Sequence, residues 1–87
     1  MKRILVNIKC DLNNVPDLDV LLPKEYETAG RLREMGILEH VFSKDNANGA
    51  VLIFKNTDEE QVKQYVETFP LSPYFDTVEY ISAEMNF

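Results

Sequence analysis

Two prolines three residues apart, Pro70 and Pro73, constrain this chain more than any other local feature. Each proline fixes its φ angle, lacks a backbone N–H and pushes the preceding residue towards extended geometry, so that regular helix cannot pass through them. A helix must therefore end near Phe69. Aromatic and β-branched side chains are frequent in residues 75–81, which predicts a strand there. Residues 69–76, called the proline corner below, are thus predicted to connect a helix rigidly to a strand.

The first half of the chain is predicted to form a strand, a loop and a helix. Residues 3–10 alternate with a period of two, which places the apolar side chains from Ile4 to Cys10 on one face. Residues 11–23 are rich in Asp and Asn and contain two prolines, so we predict a loop that packs through its leucines. Residues 24–35 are predicted to form a helix that ends at Gly36. The apolar side of this helix comprises Tyr26, Ala29, Leu32 and Met35.

A β-hairpin is predicted next. Residues 37–44 have strand character, with Leu38, His40 and Phe42 on one face. The DNANG segment at 45–49 favours a tight turn, because Asn and Gly tolerate positive φ angles. Residues 50–55 form a nearly continuous apolar run, which is typical of a strand inside a sheet.

The second helix has the clearest pattern in the chain. Thr57 and Glu60 match the spacing of a capping box, which predicts where the helix begins. Val62, Tyr65, Val66 and Phe69 follow at the i, i+3, i+4, i+7 spacing of one buried helix face.

The element order βαββαβ predicts one ferredoxin-like α+β domain over residues 1–87, with a four-stranded antiparallel sheet and two helices on one face. No helix remains to cover the other face of the sheet. A second subunit that packs its own sheet there would solve this problem, as in a dimeric α/β barrel. We therefore expect a homodimer or larger homo-oligomer, with a small-molecule cavity shared between the sheets.

Charge and cysteine content argue against several classes of protein. The net charge of -6 argues against nucleic-acid binding, which needs clustered Lys and Arg. Cys10 is the only cysteine, so an intrachain disulfide is impossible. Asn7, Lys9 and Asp11 interrupt the first apolar run too early for a signal peptide or a membrane span. We expect a cytoplasmic protein without a membrane partner.

The proline corner also carries a family resemblance. Pro70, Leu71, Pro73 and Tyr74 form the pattern PLxPY between the last helix and the last strand, and this pattern resembles the muconolactone isomerase family. Gly36 with His40 four residues later, and the pair Lys24 and Glu25 at the helix start, match further positions of that family. The resemblance covers most of the chain. It implies a small dimeric α/β-barrel enzyme that isomerises an unsaturated lactone of aromatic-compound catabolism by moving a proton.

The resemblance also implies a site. A double-bond shift in a lactone needs a group that removes and returns a proton, and His40 and Glu25 are the catalytic candidates. Lys24, Tyr74, Phe42 and Tyr26 are the candidates for substrate binding. No cofactor is implied. The cluster at 45–48 lacks the downstream Glu of a calcium loop, so we predict no metal site.

Each candidate has a purely structural alternative. His40 is equally well explained as a packed histidine, and Glu25 as a first-turn carboxylate that interacts with the helix dipole. Two other functions therefore stay open. One is a non-catalytic dimeric module for small-molecule binding or assembly, which the absence of tryptophan from the family's usual positions favours. The other is a cofactor-independent monooxygenase of the same architecture.

Overall fold

The computed structural model describes residues 1–87 and contains four strands and two helices. In chain order these are β1 (Lys2–Lys9), α1 (Leu18–Glu34), β2 (Leu38–Ser43), β3 (Gly49–Phe54), α2 (Glu59–Glu67) and β4 (Thr77–Glu84). The strands form one antiparallel sheet in the order β2-β3-β1-β4. This is the ferredoxin-like α+β fold that the element order predicted. None of the helices combines the length and the apolar character that crossing a membrane requires.

The core lies between the sheet and the two helices. Alternate residues of β1 are buried, as the two-residue period predicted, and Val6 is completely inaccessible to solvent. Val6 pairs with Leu52 on β3, and both contribute to the same core cluster as Val62 and Val66 of α2. The predicted buried face of α2 is therefore confirmed.

Helix α1 begins earlier than predicted. Residues 18–23 belong to this helix, so the prediction of a loop over residues 11–23 is wrong for its second half. Pro23 lies inside the helix, where its missing N–H leaves the carbonyl of Asp19 without the usual partner. Packing outweighs this local cost, because Leu18, Leu21 and Leu22 lie against the core.

The buried side of α1 also differs from the predicted one. Thr28 and Leu32 are buried, whereas Tyr26 is 70% exposed and Met35 57% exposed. The earlier start of the helix supplies other leucines to the core, so Tyr26 and Met35 are not needed there. Gly36 has a φ angle of 77° directly after the C-cap, which confirms it as the helix stop.

A β-bulge changes the faces of β2. Leu38 pairs with Phe54, but His40 pairs with Ile53, so one residue of β2 has no partner on β3. A bulge of this kind moves the following side chains to the other face of the sheet. Leu38 is buried under the helices, while His40 and Phe42 lie on the uncovered face. The prediction that these three residues share one face is wrong.

The bulged residue, Glu39, is held by an ion pair. The Arg3 guanidinium donates from Nε to Glu39 Oε1 at 2.8 Å and from Nη2 to Oε2 at 3.2 Å. These hydrogen bonds hold the pKa of the Glu39 carboxyl below its ordinary value. The contact joins two strands that are not neighbours in the sheet, β1 and β2, and it therefore stabilises the bulge through tertiary structure.

The hairpin turn between β2 and β3 and the start of α2 were also predicted from the sequence. The hairpin between β2 and β3 is confirmed, and Asn46 and Ala47 adopt positive φ angles within it. The predicted capping box of α2 is wrong by one residue. Asp58 is the N-cap, because its side chain accepts a hydrogen bond from the Gln61 N–H at 2.8 Å.

Candidate functional site

A mostly apolar cavity of about 160 Å³ lies between α1 and the helix-covered face of the sheet. Twelve of its fifteen lining residues are hydrophobic. Helix α1 supplies four of the lining residues, and the end of β1, strand β3 and the proline corner supply most of the others. Their lining side chains include Ile8, Cys10, Ala50, Leu52, Phe69 and Phe75. The cavity is thus formed within one chain, on the opposite side of the sheet from the predicted inter-subunit cavity.

Glu25 is the only charged residue that lines this cavity. Helix α1 places it there, about one turn before the buried Thr28 and the partly buried Ala29. Its Oε1 atom accepts a hydrogen bond from the backbone N–H of Leu71 at 2.7 Å. Burial raises the pKa of the Glu25 carboxyl above its ordinary value, and the Leu71 bond opposes this rise in part. The carboxyl is therefore held in one orientation, and its pKa is raised, which is the direction that suits a carboxyl group for acid–base catalysis.

The proline corner makes the Leu71 N–H available for this contact. Its local hydrogen bonds run from the Ser72 N–H to the Phe69 carbonyl and from the Tyr74 N–H to the Leu71 carbonyl. The Leu71 N–H takes no part in them and is directed to Glu25 instead. Leu71 is itself buried and lines the cavity. The segment that carries the family resemblance therefore contacts one of the two catalytic candidates directly.

Cys10 also lines the cavity, although it was not among the site residues predicted from the sequence. Its thiol is buried at the end of β1. Burial raises the pKa of the thiol, and the negative charges of Asp76, Glu25 and Asp11 raise it further. The strand alternation already placed Cys10 on the same face as Ile8, and this was the available signal. The cavity wall beside Cys10 therefore has a negative electrostatic potential, which favours the neutral form of the thiol.

The predicted site residues do not all meet in this cavity. Glu25 and Tyr26 line it, with Tyr26 at the exposed rim. His40 lines a neighbouring shallow groove of about 410 Å³ between α1 and β2. The two depressions share Tyr26, Ala29, Val41 and Ser43, but Glu25 lines only the first, and Arg33, Glu39 and His40 line only the second.

The remaining candidates lie elsewhere on the surface. Lys24 and Tyr74 are exposed and line neither depression. Phe42 is 54% exposed on the uncovered face of the sheet, where its ring lies 6.1 Å from the His40 ring. His40 and Phe42 therefore form a pair that is separate from Glu25.

The uncovered face of the sheet carries an apolar patch among polar side chains such as Lys9 and Glu79. Leu5 opposes Ile53 on β3 and Ile81 on β4, and Ile81 is 41% exposed. Asn7 lies on the same face, and its Oδ1 atom is buried without a hydrogen-bond partner. A buried amide oxygen of this kind is costly unless a donor reaches it.

The geometry suits proton transfer on a small apolar molecule. An oriented carboxyl with a raised pKa in an apolar cavity can remove a proton from a carbon acid and return it to another position. Ser43 and Tyr26 add hydroxyl groups to the same lining. No group of three His, Cys, Asp or Glu side chains is arranged to hold a metal ion.

Comparisons with known proteins give structural matches. No protein-family model and no curated protein sequence matches the chain. The hypothetical protein PHS023 from Pyrococcus horikoshii matches with a TM-score of 0.53 and 11% identity, over 99% of this chain and 93% of that one. TTHA0845 from Thermus thermophilus matches with a TM-score of 0.56 and 17% identity, over 100% and 98% of the two chains.

A third matching structure is an enzyme of known reaction. It is 5-chloro-2-hydroxyhydroquinone dehydrochlorinase (TftG) from Burkholderia phenoliruptrix AC1100, in complex with 2,5-dihydroxybenzoquinone. The TM-score is 0.57 and the identity 15%, over 99% of this chain and 94% of that enzyme. At these identities the three matches establish the fold alone.

Proposed function

We propose that this protein is a small-molecule enzyme of the muconolactone isomerase-like type. It moves a proton on an unsaturated lactone or a related intermediate of aromatic-compound catabolism, without a cofactor. The observation that carries the proposal is the Glu25 carboxyl, which is held by the Leu71 N–H inside an apolar cavity. The structural likeness to an enzyme that processes a hydroxylated aromatic ring is consistent with this class of substrate.

Glu25 is the proton carrier in this proposal. Its carboxylate removes a proton from a carbon that is conjugated with the lactone carbonyl, and the resulting dienolate is reprotonated at another carbon by the same side chain. The apolar surroundings favour the neutral carboxylic acid that forms when Glu25 takes the proton, and the opening of the cavity lets this proton exchange with solvent before it is returned. The Leu71 N–H holds one carboxyl oxygen, so the other oxygen is the one directed at the substrate. The hydroxyl groups of Tyr26 and Ser43 are suited to binding the enolate oxygen.

We also propose that two copies of the chain associate through the uncovered face of the sheet. The apolar side chains of Leu5, Ile53 and Ile81 would then be buried between the two sheets. His40 and Phe42 lie on this face and would line the space between the two sheets. Lys24 and Tyr74 remain candidates for contacts at the entrance to the Glu25 cavity.

Proton exchange tests the enzymatic proposal. Muconolactone and the uncharged α-angelica lactone are incubated with the protein in D2O, and deuterium incorporation and double-bond migration are followed by proton NMR. We expect catalysed exchange of at least one of the two lactones, and we expect Glu25→Gln to abolish it. Glu27→Gln is the matched control, because Glu27 is an exposed carboxylate on the same helix. If no lactone exchanges faster than in buffer, or if Glu25→Gln exchanges normally, the proposal is wrong.

A non-catalytic binding module of the same fold is the second candidate. It is favoured by the separation of His40 from Glu25 and by the exposed position of Lys24. In that case lactones or aromatic compounds would shift the NMR signals of cavity residues without any exchange of protons. The two experiments use the same samples, so binding and turnover are compared directly.

Association is tested by light scattering after size-exclusion chromatography. We expect a dimer or larger assembly for the native chain and a monomer for Ile81→Lys. Val20→Lys is the control, because Val20 is a similarly exposed apolar residue on α1. A monomeric native chain, or an Ile81→Lys variant that stays associated, would refute the use of this face.

A further inference from the structure

The Glu25 cavity has the size of a single ring. Its volume of about 160 Å³ is close to that of an engineered apolar cavity of roughly 150 Å³ that binds one benzene molecule. Bicyclic compounds would need the walls to move. Because Phe69, Leu71 and Leu52 are firmly packed in the core, such movement would be costly.

The charge around the cavity is unfavourable for anions. Its lining contains no Lys, Arg or His, and its only charged side chain is Glu25. Burial raises the pKa of the Cys10 thiol at the wall, and the carboxylates of Asp76 and Asp11 contribute in the same direction. A ligand carboxylate would therefore lose its hydration and meet like charges without a cation to pair with.

One oxygen of Glu25 is free for a ligand. Oε1 accepts the Leu71 N–H, whereas no group of the chain donates to Oε2. Among the buried side-chain oxygens and nitrogens, only Asn7 Oδ1 lacks a hydrogen-bond partner. Oε2 of Glu25 also lacks a partner, so it is not among the buried atoms and is accessible to a ligand. An ionised carboxylate is purely an acceptor, so a ligand that bonds to it must supply a donor.

From the size, the charge and the free oxygen together, we infer that the cavity selects uncharged single-ring compounds that donate a hydroxyl group, such as phenols and enols, and rejects rings that carry a carboxylate. This inference rests on the proposed function, because it names the substrate class of the same site. It separates this chain from an isomerase for muconolactone itself, whose substrate is a carboxylate.

Three ring compounds of similar size test the inference. Phenol donates a hydroxyl group, toluene has no donor, and benzoate is an anion at pH 8. Each is titrated into isotopically labelled protein, and the shift of the Leu71 amide signal reports binding at Glu25. We expect phenol to bind about tenfold more tightly than benzoate, as a hydrogen bond to a charged group would allow. Glu25→Gln keeps an oxygen for the Leu71 N–H but loses the second acceptor.

The Glu25→Gln variant completes the test. We expect it to weaken phenol binding about tenfold, to leave toluene within about twofold, and to strengthen benzoate binding, because the repulsive charge is gone. The Glu27→Gln variant should change none of the three affinities. The inference is refuted if phenol does not bind, if benzoate binds the native chain as tightly as phenol, or if the substitution weakens toluene as much as phenol.

Failure of the inference and failure of the proposed function have different signatures. Selective phenol binding without proton exchange on any lactone would leave the ligand class correct and the enzymatic proposal wrong. Rapid exchange on muconolactone, together with benzoate binding, would leave the enzymatic proposal correct and the ligand class wrong.

Discussion

Replacing Gly49 with alanine should strongly destabilise the fold. An added Cβ atom would lie 2.1 Å from the backbone oxygen of Ile8 and 3.1 Å from the backbone nitrogen of Cys10, and Gly49 has a φ angle of 134°. A strained backbone conformation of this kind costs about 1–3 kcal/mol. Displacing the backbone also weakens a hydrogen bond such as that from the Cys10 N–H to the Asn48 carbonyl, which adds about 1 kcal/mol. The expected loss in the free energy of unfolding is therefore about 2–4 kcal/mol.

Two other glycines provide matched controls for the same substitution. Gly36 has a φ angle of 77° but no atom within 4 Å of an added Cβ, so Gly36→Ala should cost only about 1–2 kcal/mol. Gly30 lies inside α1 with open space around it, so Gly30→Ala should stabilise the chain by about 0.5–1 kcal/mol. Urea denaturation of the three variants gives the ranking. If Gly49→Ala costs no more than Gly36→Ala, the close approach of β1 and β3 at this position is refuted.

Three further predictions concern ionisable groups and a helix cap. Since burial raises the pKa of Glu25 above its ordinary value of 4.5, the folded state holds this proton more tightly than the unfolded state. The stability that protonated Glu25 contributes is fully present below pH 4.5 and is lost as pH rises through the raised pKa. Glu25→Gln should abolish this loss of stability. A urea midpoint that changes equally with pH in both proteins would contradict the prediction. Asp58→Ala should lower the free energy of unfolding by about 1 kcal/mol, because the N-cap hydrogen bond is lost. Thr57→Ala should lower it less, because Thr57 is not the N-cap, and thermal unfolding measures both variants. Cys10 should react with a thiol reagent far more slowly in buffer than in urea, because its thiol is buried and protonated, and equal rates would contradict its placement.

The elements with a strong local pattern were predicted well. The alternation of β1, the helical spacing of Val62, Val66 and Phe69, and the turn at residues 45–49 all agree with the structure. Each of these signals depends on residues that are close in the chain. In β1 and α2, one face of the element is buried, and this produces the regular spacing of apolar residues. The stop at Gly36 has the same character, because only the local φ angle decides it.

The errors have tertiary causes. Pro23 and the acidic residues before it suggested a loop, but core contacts of three leucines hold this segment in α1. The bulged residue of β2, Glu39, forms an ion pair with Arg3, which is 36 residues away in the sequence. No pattern within β2 reports such a contact, and so the face of His40 was assigned incorrectly.

The sequence by itself determined the order of the elements, the faces of β1 and α2, and the end of α2 before the two prolines, because periodicity, glycine and proline act over a few residues. Only the tertiary structure decided where the chemical groups meet. It moved His40 to the uncovered face of the sheet and joined Glu25 to Leu71, a contact across 46 residues. The cavity lined by Glu25 and Leu71 exists only because α1, the sheet and the proline corner pack together. The surroundings that raise the pKa of Glu25 therefore come from distant parts of the chain.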